Sequence, residues 1–147
     1  MKVAIVGPRE ITDYKVVVDA IKASTFKITE VVSGGAKGID SLAEKYADDN
    51  GLEKTVFEAL WNDLSHPDAV IKTNAWGKQY DNNAGFRRNQ QIVDYCDAMI
   101  AIDNGSSGTG DSIKKMKLTD KPLYIHSLIN KSETNYANAN SGYVYEF

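Results

Sequence analysis

Ser33-Gly34-Gly35-Ala36-Lys37-Gly38-Ile39-Asp40-Ser41-Leu42-Ala43 is the stretch that decides the fold. It ends the β-branched run Glu30 to Ser33 and opens a helical stretch from Lys37 to Asn50, whose Ile39, Leu42, Ala43, Tyr46 and Ala47 fall on one stripe. Gly51 follows Asn50 where that helix should stop. A strand that runs through glycines into an amphipathic helix is the junction of a βαβ unit.

The same alternation continues outward on both sides. Upstream, Lys2 to Val6 precedes a helical pattern from Asp13 to Ala23, with Val16, Val17, Ala20 and Ile21 on one face. Downstream come Glu53 to Glu58, a helix from Phe86 to Tyr95, Asp97 to Ile102, a helix from Thr109 to Leu118, and Pro122 to His126. Asp13 and Ser33 stand where strand-to-helix junctions want caps or polar turns. This order predicts an α/β, Rossmann-like architecture: a mostly parallel sheet with helices on both faces.

Composition allows one such domain over residues 1–147. The chain has 147 residues, 42% hydrophobic and 25% charged, with a formal charge of 17 − 20 = −3. At this length roughly 70% of the unfolded surface is buried on folding, enough for one core without staples. The one cysteine, Cys96, forms no internal disulfide, and no metal-ligand spacing surrounds it. The apolar run after Met1 is too short for a signal core or a membrane span, so a cytoplasmic setting is expected. Mild acidity without a basic stripe argues against broad nucleic-acid binding. A local positive site for a small anion stays compatible with it.

Two stretches interrupt the alternation. Leu60 to Ala84, polar and punctuated by Pro67 and Gly77, is too long for an idle βα loop and reads as a flap or insertion at about 60–84. Asn130 to Gly142, rich in Asn and Ser, reads as a surface loop before a late edge strand at Tyr143 to Phe147, so that loop and strand occupy about 128–147.

Three strand ends run into small or glycine-rich turns: Gly7-Pro8-Arg9, Ser33 to Asp40, and Asn104-Gly105-Ser106-Ser107-Gly108-Thr109. In an open parallel sheet such loops converge at the carboxyl ends of the strands, where ligands bind. Glycines let amides approach an oxygen closely, and the helix that follows adds about half a positive charge, so a phosphate is the expected ligand group. The alternative for each loop is a tight connection that touches nothing. Pro8 has no N–H, which makes the first loop the weaker cradle. Neither a Walker loop nor a G-x-G-x-x-G fingerprint is present, and no cofactor is implied. Arg87, Arg88 and Asn89 sit near a helix start, where the dipole disfavours cations. Arg88 is therefore read as a contact to phosphate or carboxylate, with Arg87 the weaker candidate and Asn89 able to read a ribose hydroxyl or a base edge.

Gly7-Pro8-Arg9, the Ser33 to Ala43 segment, Trp61, Gly77-Lys78, Ala84-Gly85-Phe86-Arg87-Arg88-Asn89 and Asp103 to Thr109 together resemble the SLOG superfamily, and most closely its stand-alone branch related to YspA and YpsA. The resemblance runs to near Ile125. It implies a Rossmann-like domain that binds a nucleotide or a nucleotide-derived, ADP-ribose-like molecule, often as a homodimer. Relatives include the LOG phosphoribohydrolases, which cleave the base from a nucleoside 5′-monophosphate, and the DNA-processing protein A family, which binds single-stranded DNA. Related domains act as sensors in bacterial and phage conflict systems.

Two departures bear on activity. The LOG loop carries a catalytic Glu where this chain has Ser112, and a serine cannot supply the charge that an oxocarbenium-like state needs. Asp111 lies one residue away, about 100° round a helix, and Asp40 is the other candidate carboxylate. Asp40 has two readings: a first-turn residue favoured by the helix dipole, or a ribose-binding or catalytic group. Trp61 and Trp76 flank the flap, and each has two readings, stacking on a base or tacking the flap to the sheet, with stacking favoured for Trp61 and tacking for Trp76. His66 reads as exposed and Cys96 as packing, while His126 would need a partner to act as a base.

The ligand-binding set expected from the sequence is Gly7, Arg9, the run Ser33 to Gly38 (Ser33, Gly34, Gly35, Ala36, Lys37, Gly38), Asp40, Trp61, Arg88, Asn89 and the run Gly105 to Thr109 (Gly105, Ser106, Ser107, Gly108, Thr109). Asp40 and Asp111 are the catalytic candidates should the protein be an enzyme. The leading expectation is a sensor or a sequestering protein for a nucleotide-like anion. Hydrolysis of a nucleoside monophosphate comes second and single-stranded DNA binding third.

Overall fold

The computed structural model describes residues 1–129 and 142–145. Its elements run β1 (Lys2–Val6), α1 (Tyr14–Ser24), β2 (Glu30–Ser33), α2 (Ile39–Asp49), β3 (Glu53–Val56), β4 (Ile71–Thr73), β5 (Gln79–Asp81), α3 (Ala84–Tyr95), β6 (Ala98–Asp103), α4 (Ser107–Lys117), β7 (Leu123–Ser127) and β8 (Gly142–Tyr145). The main sheet has the order β3-β2-β1-β6-β7-β8, and β4 pairs with β5 in a separate antiparallel hairpin. The first five strands of the sheet are parallel neighbours, while β8 adds antiparallel to β7.

Alternation along β1 explains the two layers of helix. Val3 and Ile5 pack with Val17 and Ile21 of α1 and with Ile39 and Ala43 of α2 on one face. Ala4 and Val6 point the other way, onto Ile92 and Val93 of α3 and Met116 of α4. Covered on both faces, the strand reads as one apolar run. The expected α/β, Rossmann-like architecture is the observed one.

Helix ends differ from the sequence reading by one or two residues, for local reasons. Asp13 caps α1 as expected, its Oδ1 accepting the Lys15 N–H at 3.0 Å. Ser33 does not cap α2; the N-cap position is Gly38, and Ser33 instead accepts the Gly35 N–H at 3.2 Å. α3 and α4 each start two residues earlier than the pattern suggests, because glycines in Ala84-Gly85 and Ser107-Gly108 mask their first turns.

The flap stretch carries the β4–β5 hairpin, which the sequence reading missed. Asn74 closes its turn, Oδ1 accepting the N–H groups of Trp76 at 2.9 Å and Lys78 at 3.0 Å. Asp81, fully buried, ties the stretch to α3: its Oδ1 accepts from Val70 at 3.0 Å and Asn83 at 2.9 Å, and its Oδ2 pairs with Arg87 at 3.0 Å. Burial works to raise this carboxyl, but the two amides and Arg87 hold it below its ordinary range. Arg87 also pairs with Asp68, so it fastens the flap. Trp76 is a correction to the sequence reading: at 89% exposed it tacks nothing down, because the Asn74 turn holds the tip of the hairpin out in solvent. Of the expected C-terminal loop and strand, residues 130–141, Glu146 and Phe147 lie outside the described residues.

Two glycines set how closely the chain packs at the carboxyl ends of the strands. A Cβ at Gly7 would stand 2.6 Å from Cγ1 of Ile39, and one at Gly38, whose φ is +72°, would stand 2.3 Å from the Arg9 carbonyl oxygen. Gly38→Ala therefore meets both strain and a backbone clash, and should cost about 3 kcal/mol in urea denaturation. Gly77→Ala, at φ +79° with open space around it, is the control and should cost only about 1 kcal/mol.

Candidate functional site

A cavity of about 350 Å³ opens where the strand order reverses, between the carboxyl ends of β1 and β6. Gly7, Pro8, Arg9 and Glu10 form its wall after β1, and Ala36 and Asp40 come from the β2–α2 junction. Trp61 and Asn82 enter from the flap, and Gly85, Phe86, Arg88, Asn89 and Ile92 from α3. The start of α4 supplies Ser106, Ser107, Gly108, Thr109 and Ser112.

Most of the expected residues meet here: Gly7, Arg9, Ala36, Asp40, Trp61, Arg88, Asn89 and Ser106 to Thr109 all line the one cavity. Ser33, Gly34, Gly35, Lys37, Gly38, Gly105 and Asp111 do not line it. Three amides of the β2–α2 segment are engaged, two of them within it. Gly35 N–H donates to Ser33 Oγ at 3.2 Å, Ala36 N–H to Asp40 Oδ2 at 3.2 Å, and Ile39 N–H to the Pro8 carbonyl at 3.3 Å. A Cβ at Gly35 would face Val56 and Glu58. Gly105, at φ +92°, makes a turn in which its N–H donates to Asp103 Oδ1 at 2.9 Å. Asp111 pairs with Lys115 at 2.6 Å and accepts from Asn89 at 3.0 Å.

The first turn of α4, unlike that of α2, lines the cavity along its length. No side chain caps this helix; Ser106 Oγ donates to Thr109 Oγ1 at 2.9 Å, and the first intrahelical bond runs from Gly110 N–H to the Ser106 carbonyl. The N–H groups of Ser107, Gly108 and Thr109 therefore have no acceptor inside the helix and stand at its positive end. Asn89 braces this turn from α3, its Nδ2 donating to the Gly108 carbonyl at 3.3 Å.

Two cations and one buried carboxylate set the field. Arg88 donates through Nε to Asn89 Oδ1 at 3.1 Å and through Nη1 to the Gly34 carbonyl. Its pKa is lowered by burial, with Arg9 acting in the same direction and Asp40 against it. Asp40, 6% exposed, is raised to about 6 by burial, and the Ala36 amide, Arg88 and Arg9 only partly offset that. Arg9 also lies over the Trp61 ring, 5.7 Å from its centroid. Trp61 packs edge-on to Tyr80 and onto Gly85, where a Cβ would stand 2.8 Å from the ring, so it anchors the flap while lining the cavity.

Pro8, Glu10, Asn82, Gly85, Phe86, Ile92 and Ser112 line the cavity without having been singled out as ligand contacts. Ser112 was legible as the residue one helical turn after Thr109. Asn82 carried no signal in the sequence, because it arrives through the fold of the flap.

Residues 1–63 match the family model YAcAr, described as the YspA, cpYpsA-related SLOG family. The matched SLOG segment holds β1 to β3 and Trp61, a shorter span than the resemblance read from the motifs. Among solved structures, DNA processing protein A (DprA) from Streptococcus pneumoniae is similar with a TM-score of 0.60 and 24% identity, over 83% of this chain. The chain spans about half, 48%, of that protein, and the likeness is one of fold. No curated protein matches. No helix among the described residues is long and apolar enough to cross a membrane, and no cluster of His, Cys, Asp and Glu among them could hold a metal ion.

The environment of Asp40 predicts a pH dependence. Between its ordinary 3.8 and about 6 the native chain keeps a proton that the unfolded chain has released, so this group lowers stability as pH rises through that window. Asp40→Asn should flatten that part of the urea-denaturation profile in the ligand-free protein. At pH 7.5 it should gain up to about 3 kcal/mol over the parent.

Proposed function

We propose that the cavity binds a nucleotide or a nucleotide-derived, ADP-ribose-like molecule, and that the protein serves as a sensor or sequestering protein for it. The observation that carries this reading is the uncapped start of α4 facing into a cavity that Arg9 and Arg88 also line. Three amides at the positive end of a helix suit phosphate oxygens, and a guanidinium adds a planar fork of donors. Two amides of the β2–α2 loop, those of Gly35 and Ala36, are engaged within it, and the first turn of α4 lines the cavity, which favours the α4 turn as the phosphate cradle. Trp61 and Phe86 offer aromatic surface for a base. The volume falls in the range of small-molecule sites. The SLOG match over residues 1–63 supports a nucleotide-related role, and the resemblance brings a homodimer and a cytoplasmic setting into the same reading.

Hydrolysis of a nucleoside monophosphate is the second reading, favoured by one observation: a buried carboxyl near 6 inside the cavity. Asp40 would then be the acid–base group, since Asp111 is held by Lys115 outside it. Incubation with the four monophosphates would release free base, and Asp40→Asn would abolish the release. Intact monophosphates after long incubation would end this version. Single-stranded DNA stands third, in view of the net charge of −3.

Gly108→Asp tests the binding reading. A side chain there meets open space, and an acidic group in the first turn suits the helix dipole, so the variant keeps its fold. Calorimetry with nucleoside mono-, di- and triphosphates and ADP-ribose is expected to find binding to the parent and a loss of at least about 100-fold in the variant. Absence of binding by the parent to every one of these would defeat the reading.

A further inference from the structure

We infer that the β2 side of the cavity reads a ribose hydroxyl through Asp40 and Arg88, so that the occupant is a ribonucleotide and its 2′-deoxy counterpart is rejected. This rests on the nucleotide reading above and narrows it to one sugar. The starting point is an acceptor on the cavity wall that no protein group answers. Asp40 is 6% exposed, and its Oδ2 accepts the Ala36 N–H at 3.2 Å, but its Oδ1 has no donor among the described residues. A carboxylate oxygen so placed is free to accept from a donor on the ligand. The upward pull of burial on this carboxyl agrees with a group short of donors.

Arg88 is the second half of the arrangement. Its Nη1 and Nε are engaged by the Gly34 carbonyl and by Asn89, while Nη2 has no acceptor among the described residues. The two side chains flank one backbone position: a Cβ at Gly34 would stand 2.5 Å from Arg88 Nη1 and 2.8 Å from Asp40 Oδ2. A glycine is required there for both heads to lie so close.

What could satisfy both groups is limited by chemistry. An ammonium or amino group donates to Asp40 but offers Arg88 no acceptor, and a phosphate accepts from Arg88 but is repelled by Asp40. A hydroxyl does both, donating to the carboxylate while accepting from the guanidinium, and the one competitor with adjacent donor and acceptor is a base edge, which the test separates. Vicinal hydroxyls of a ribose do so with two oxygens. Ser112, 2% exposed, faces the same cavity with a hydroxyl that has no partner among the described residues, so the α4 wall also suits a polar occupant.

The sheet sets the spacing. Asp40 follows β2 and the uncapped turn follows β6, with β1 between them, so the two lie about two strand spacings, or roughly 10 Å, apart. Side chains reaching inward from both ends leave room for the sugar and the phosphate of one nucleotide. Asp40 faces Arg88 from α3, Arg9 from the β1 loop and Glu44 from its own helix. The cations hold it in place, and its own charge keeps the phosphate at the α4 end.

The test is calorimetry of the full chain with AMP, GMP, CMP, UMP and ADP-ribose, each compared with the 2′-deoxy form of the same molecule. At least one ribonucleotide is expected to bind at least about tenfold more tightly than its 2′-deoxy form, and Asp40→Asn is expected to remove most of that difference. Equal affinity for the two sugars would overturn the inference while leaving the nucleotide reading standing. Discrimination among bases with equal affinity for both sugars would do the same, by assigning Asp40 to a base edge. Binding of none of these molecules, nor of the di- and triphosphates of the preceding test, would remove both. The sugar comparison in the parent protein needs no variant, so a poorly folded Asp40→Asn leaves the test intact.

Discussion

The close approach of the β1 loop to the first turn of α2 is the constraint on which the site depends. Ile39 donates to the Pro8 carbonyl at 3.3 Å, the Arg9 carbonyl occupies the space a Cβ of Gly38 would need, and Ile39 fills the space beside Gly7. Two absent side chains thus let two loops from neighbouring parallel strands lie in contact. Were they further apart, Arg9 and Asp40 would no longer share a cavity, and the Ile39 amide would lose the Pro8 carbonyl that now accepts from it.

Neighbouring arginines on α3 show how one helix divides its work. Arg87 reaches outward to Asp68 and the buried Asp81, fastening the flap that brings Trp61 and Asn82 to the cavity. Arg88, about 100° further round, reaches inward to the Gly34 carbonyl and carries its charge into the cavity. Both oppose the dipole at the start of α3, and each is compensated differently: Arg87 by carboxylates, Arg88 by a carbonyl and by proximity to Asp40.

A chain of polar contacts then couples the two sides of the cleft. Gly34, Arg88, Asn89 and the Gly108 carbonyl are joined in sequence, and Asp111 and Lys115 extend the chain along α4. Such a connected network holds Arg88 and the first turn of α4 in register before any ligand arrives, which lowers the ordering cost of binding. Asp40 is the exception, a largely buried carboxylate whose second oxygen is answered by no protein group and opens to the cavity. Local rules broken in an otherwise consistent fold mark a place where stability has been yielded to function.

The alternation of apolar runs with helical stripes by itself determined the layered α/β architecture, because a strand such as Val3 to Val6 that is apolar on both faces must be covered on both. Glycines at strand ends likewise marked where the loops converge, and Arg88, Asn89 and Asp40 were legible as chemistry-bearing residues near helix starts. The hairpin at Ile71 to Asp81 was not legible, since its strands are only three residues long and its pairing is specified by one Asn74 turn. Nor could the sequence assign which glycine loop keeps its amides free. Ser33-Gly34-Gly35 and Gly105-Ser106-Ser107 look alike as strings, but the Gly35 and Ala36 amides of the first are answered by Ser33 and Asp40, while the second opens a helix whose first turn lines the cavity. Composition and period act along the chain, so they reveal elements and their order; which donors and acceptors remain unpaired depends on groups brought together from distant segments, and that only the tertiary structure decided.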